Sequence, residues 1–95
     1  MDDAIKLTLE GWLECPKCGW GHSHQGKIEI FNRKEDAEDC NHVTVDGQAS
    51  TIDRKIKGNP SLRRQGIKIY FECEDGCKFA ICVIQHKGNT YIEYC

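Results

Sequence analysis

The chain has 95 residues, with 13 basic and 15 acidic side chains and a net charge of −2. That length suits one small domain, whose core is modest enough that extra staples help. The charge balance excludes a generic phosphate-backbone binder, which works through concentrated Lys and Arg, unless the basic residues gather on one face.

Seven cysteines bring disulfides or a bound metal into consideration, and their odd number does not favour a closed disulfide framework. Two acids follow Met1 with no long apolar run behind them, so the start does not read as a signal peptide. No apolar run approaches the roughly 20 residues a membrane helix needs. A soluble chain in a reducing, cytoplasmic compartment is the expectation, where paired cysteines more often hold metal than each other.

In chain order, "AIKLTLEGW" alternates Ile5, Leu7 and Leu9 and predicts a strand. The first knuckle follows, Cys15-Pro-Lys-Cys18-Gly19, and then His22-Ser-His24, whose alternate imidazoles would share one face of a strand. That pair would suit a second metal site only if Cys40, His42 or His86 converged on it; polar residues after a turn are the simpler reading. "GKIEIF" predicts a strand carrying Ile28 and Ile30.

Residues 32–39, "NRKEDAED", offer at best one exposed turn of helix, having almost no apolar face. The acids in that run suit a solvated surface, with cation binding or phosphate mimicry as the sharper alternative. Val43, Val45 and Ile52 around Asp46-Gly47 predict a hairpin. Residues 57–66, "KGNPSLRRQG", are a Gly- and Pro-marked loop. "GIKIYFEC" sets Ile67, Ile69 and Phe71 on one face and Lys68, Tyr70 and Glu72 on the other. Cys73-Glu-Asp-Gly-Cys77 leads into two final strands that turn at Lys87-Gly88-Asn89. The fold class expected is all-β and mainly antiparallel, a single domain over residues 1–95 with little or no helix.

Zn²⁺ in a structural site takes four ligands in a tetrahedron, and short Cys-x₂₋₄-Cys turns supply sulfurs two at a time. Cys15, Cys18, Cys73 and Cys77 are therefore the expected ligands of one structural zinc ion. Gly19 and Gly76 free the backbone to turn tightly, and Lys17 and Lys78 would partly offset the charge of four thiolates. A thioredoxin-like dithiol needs a helix after the motif, which Gly-Trp-Gly-His does not open. Disulfides and rubredoxin-like iron are the alternatives for the same sulfurs.

With these two knuckles and their hairpins the chain resembles the zinc-ribbon group, most of all small uncharacterised zinc-ribbon proteins of bacteria and phages. The wide separation of the knuckles implies an insertion at about residues 31–66. The resemblance, together with a basic stretch, implies a binding module rather than an enzyme.

The basic stretch runs from residue 54 to residue 68 and carries Arg54, Lys55, Lys57, Arg63, Arg64 and Lys68 with no acid. Tyr70 and Trp20 would offer stacking surfaces to unpaired bases. Single-stranded or structured nucleic acid is the leading partner expected, and a protein partner with a purely structural zinc site is the alternative. Cys82, between Ile81 and Val83, is expected to be a buried free thiol, and Cys95 an exposed one. No base-activated nucleophile is legible at these two cysteines or at Cys40.

Overall fold

The computed structural model describes residues 4–95. The acids at positions 2 and 3 lie outside the described residues. Six strands form one sheet: β1 (Ser23–Asn32), β2 (Asn41–Asp46), β3 (Ala49–Asp53), β4 (Gly66–Cys73), β5 (Lys78–His86) and β6 (Asn89–Tyr94). Their order across the sheet is β3-β2-β1-β4-β5-β6, and every neighbouring pair is antiparallel. No helix occurs among the described residues, as the sequence leads one to expect. The β2–β3 hairpin sits within the expected insertion and extends the sheet by pairing with β1.

The strand alternation sorts the side chains into two unlike faces, because paired residues on neighbouring strands point the same way. One row runs Ile52, Val43, Ile30, Ile67, Val83, Ile92 from one edge of the sheet to the other. The next row runs Ser50, Val45, Ile28, Ile69, Ile81, Tyr94. On the far side of the first row lie Asn41, Asn32, Gln65, Gln85 and Thr90, joined by Gln65 Nε2 to Asn32 Oδ1 (3.3 Å) and Thr90 Oγ1 to Gln85 Oε1 (3.1 Å). These three rows contain no ionisable side chain except the Tyr94 phenol. The charged residues paired through the ladder, Glu29, Asp46, Asp53, Lys68, Glu72, Lys78 and Glu93 among them, all fall on the opposite face.

Each face is covered in part. On the aliphatic face, Cys15, Cys73, Phe79 and Ile81 form a buried cluster against which Ile5, Leu13, Phe71, Cys77 and Tyr94 pack. Phe71 and Phe79 stack with centroids 5.2 Å apart, and Tyr94 meets Phe79 edge-on. Tyr94 also donates its hydroxyl to the Glu14 carbonyl at 2.6 Å, pinning the N-terminal segment to the sheet. On the charged face, Phe31 is completely buried beneath the loops at residues 33–40 and 54–65, with His42 lying flat against it at 4.2 Å. Gly66 is fixed by the same packing: a Cβ there would run into Asn59 and Pro60.

Three expectations differ from what is found. Ile5, Leu7 and Leu9 do not form a strand. The segment makes two isolated bridges, Ala4–Glu93 and Leu7–Leu13, around a turn in which Gly11 has φ of 89°. Leu9 is fully exposed, since its alternation has no neighbouring strand to meet. Residues 32–39 form no helix: Asn32 ends β1 and the rest turn irregularly, with Asp36 at φ 58° and its amide bonded to the Arg63 carbonyl.

The third difference is chemical. Cys82 is buried as expected, yet it is not a free thiol: it is disulfide-bonded to Cys95. The hairpin register explains the meeting. Cys82 pairs with Glu93 across β5 and β6, so Cys95, on the same face two residues on, is its diagonal neighbour.

Candidate metal centre

The first knuckle is closed by Gly19, whose amide donates to the Cys15 carbonyl at 2.8 Å with φ of 78°. The second is closed by Gly76, whose amide donates to the Cys73 carbonyl at 2.9 Å with φ of 89°. Left-handed backbone of this kind costs an L side chain about 1 kcal/mol or more, which is why glycine occupies both positions. In each knuckle the leading sulfur also accepts an amide: Lys17 N to Cys15 Sγ at 3.4 Å, and Cys77 N to Cys73 Sγ at 3.3 Å. The two turns are thus built alike despite their different lengths. Pairing of Ser23 with Cys73 ties β4 to the start of β1, just after the first knuckle, so the sheet itself sets the knuckles face to face.

The sulfurs of Cys15, Cys18, Cys73 and Cys77 all lie within 4.8 Å of one another. A tetrahedral ion with bonds of about 2.3 Å requires sulfurs about 3.8 Å apart, and Cys18 Sγ and Cys73 Sγ are 3.8 Å apart. Cys15 and Cys73 are buried, Cys77 half-buried and Cys18 exposed. The donor set therefore fits a four-coordinate metal with no place left for an exogenous ligand. Crowding also sets the thiols against each other. Burial raises the Cys15 thiol, but the amides of Lys17 and Cys18 and the neighbouring thiols outweigh it and leave it lowered. Cys77 is pushed up to about 12, first by its hydrogen bond with Cys73 and then by burial.

His22 and His24 do not converge on Cys40, His42 or His86. His22 sits between Trp12 and Trp20, with ring centroids 5.1 and 5.0 Å away, and His24 pairs with Glu74 at 3.3 Å. Cys40 is buried and turns its thiol to the Lys55 carbonyl.

The basic stretch and the acidic run close on each other. Arg63 grips Asp36 with two hydrogen bonds, 2.8 and 2.7 Å, and reaches Glu35 at 3.0 Å. Arg64 pairs with Glu35 at 2.9 Å and Arg54 with Asp39 at 3.0 Å. Lys55, Lys57 and Lys68 form no ion pair among the described residues. Tyr70 does not present a free stacking face: Lys27 and Lys68 lie over its ring at 4.5 and 5.1 Å, and its hydroxyl donates to Glu29 at 2.8 Å. Trp20 does remain substantially exposed.

One polar cluster has no counterpart in the sequence reading. His42 bonds Asp53 through Nδ1 at 2.8 Å and Glu29 through Nε2 at 3.2 Å, and Glu29 holds Tyr70 on its other oxygen. The four residues come from β1, β2, β3 and β4, so only the sheet register unites them. Compared with known proteins, the chain matches no family model, no curated sequence and no solved structure, so the likeness to zinc ribbons rests on the knuckles and their hairpins.

Proposed function

We propose that the chain is a zinc-stapled protein-interaction module. The four-thiolate set supports zinc as the metal, and a closed set of protein ligands gives it a structural rather than a catalytic role. Bound zinc would tie the first knuckle to the β4–β5 turn and supply folding free energy there. The observation that carries the interaction reading is the uncharged aliphatic face, open over most of its width, while the arginines of the loops on the other face are already engaged with carboxylates.

A nucleic-acid reading retains Lys55, Lys57 and Lys68, whose ammonium groups form no ion pair among the described residues, together with exposed Trp20. Titration with labelled single-stranded DNA and RNA at about 50 mM salt separates the two, since phosphate contacts give strong, salt-sensitive binding there. The proposal expects no binding at tens of micromolar protein. Tight binding that weakens steeply with salt would replace it.

A further inference from the structure

We infer that the open aliphatic face is a self-association surface, and that its occupant is a second copy of this chain packed sheet against sheet. The inference rests on the interaction reading above and names its partner. Three observations carry it.

The face is uncovered. Among the described residues, Ile52 is 72% exposed, Ile92 59% and Ile30, in the middle of the row, 38%. The N-terminal segment covers only the corner at Phe79, Ile81 and Tyr94.

The face is also self-complementary. Its central row reads Ile-Val-Ile-Ile-Val-Ile, the same from either edge. A two-fold axis parallel to the strands would set Ile30 against Ile67, Val43 against Val83 and Ile52 against Ile92 of the second copy, matching like volumes. The flanking row of amides would meet its own copy, and an amide both donates and accepts. No charge would be desolvated, whereas burying an unpaired one is prohibitive. With no charge on the face, nothing in it selects a charged partner over an identical one.

The area is sufficient. Six strands about 4.8 Å apart and three rows about 6.8 Å apart give roughly 600 Å². With the covered corner removed, two copies would bury roughly 1,000 Å², the lower bound for a specific association.

Sedimentation velocity of the zinc-loaded chain from about 5 to 500 μM tests this, with Ile30→Lys, Ile52→Lys and, as a control off the face, Leu62→Lys. The expected result is a concentration-dependent dimer whose dissociation constant rises at least about tenfold in both face variants and is unchanged in the control. Ile52 is exposed enough that its replacement leaves the fold intact, as zinc content and circular dichroism will show. A monomer throughout overturns the self-association. If that monomer binds an apolar dye through Ile30, the interaction reading survives without it; if it does not, both fall. A dimer indifferent to Ile30→Lys and Ile52→Lys but abolished by Ser50→Pro, which removes an outward amide of the edge strand β3, would be an edge-paired one and overturns the face assignment.

Discussion

Arg63 holds Asp36 in a two-pronged grip, Nε to Oδ1 at 2.8 Å and Nη2 to Oδ2 at 2.7 Å, across 27 positions of sequence. This contact joins the acidic run to the basic loop, and beneath the joined loops lies Phe31. The ion pairs are solvent-exposed, and such pairs contribute little; the buried ring contributes much.

Phe31→Ala should accordingly cost about 3–5 kcal/mol in urea-induced unfolding, whereas Arg63→Ala should shift stability by less than about 1 kcal/mol. Comparable losses in the two variants would show that the clasp, rather than the ring, holds these loops.

Gly66→Ala tests the same corner from the other side. Its Cβ would meet Asn59 and Pro60, and Asn59 in turn caps the Ser61 amide at 3.0 Å. The loop must shift, so a loss of about 1–3 kcal/mol is expected by thermal or chemical unfolding. A neutral effect would mean that the loop does not pack on β4 in solution.

The His42 cluster makes acid stability depend on Glu29 and Asp53. Burial raises Glu29, but hydrogen bonds from Tyr70 and His42 outweigh it and hold the carboxyl below its usual 4.5. Asp53 lies below its usual 3.8 because the Lys55 amide and His42 bind it. Depressed carboxyls bind fewer protons in the folded state, so their contribution is complete above the unfolded value and fades as pH falls through the folded one. Glu29→Gln should therefore lose about 1 kcal/mol at neutral pH and show a flatter stability profile below pH 4.5 than the parent chain. The sign reverses for Tyr70, raised to about 12 by burial and by Glu29: its contribution is complete below 10 and is lost as pH rises through 12. Tyr70→Phe should remove a tyrosinate transition at about 12 from an ultraviolet titration.

The Cys82–Cys95 bond predicts that the denatured, metal-stripped but unreduced chain alkylates at five cysteines, leaving Cys82 and Cys95 untouched. Breaking it with Cys95→Ser opens a short loop, at a cost of up to about 3 kcal/mol under non-reducing conditions. Seven alkylated cysteines would show the pair to be reduced in the purified protein.

The sequence made some of this legible and not the rest, for physical reasons. Strands such as Ile67-Lys68-Ile69-Tyr70 announce themselves because one face is buried and alternation follows. The metal site is equally local, since each Cys-x₂₋₃-Cys turn carries half of it. The Arg63–Asp36 clasp and the His42 cluster depend instead on which strands become neighbours. The aliphatic row is visible strand by strand, but its run across all six follows only from register. Cys95 could have been found: a hairpin turning at Lys87-Gly88 sets Cys82 opposite Glu93, and hence beside Cys95. Leu7 and Leu9 misled because alternation without a partner strand does not make a sheet.

Metal analysis of the purified chain, paired with native mass spectrometry, tests the central claim most directly. The account predicts one zinc ion per chain, lost together with the folded state in Cys73→Ala and retained in Arg63→Ala. A chain that is folded without metal, with Cys15 disulfide-bonded to Cys18, would contradict it.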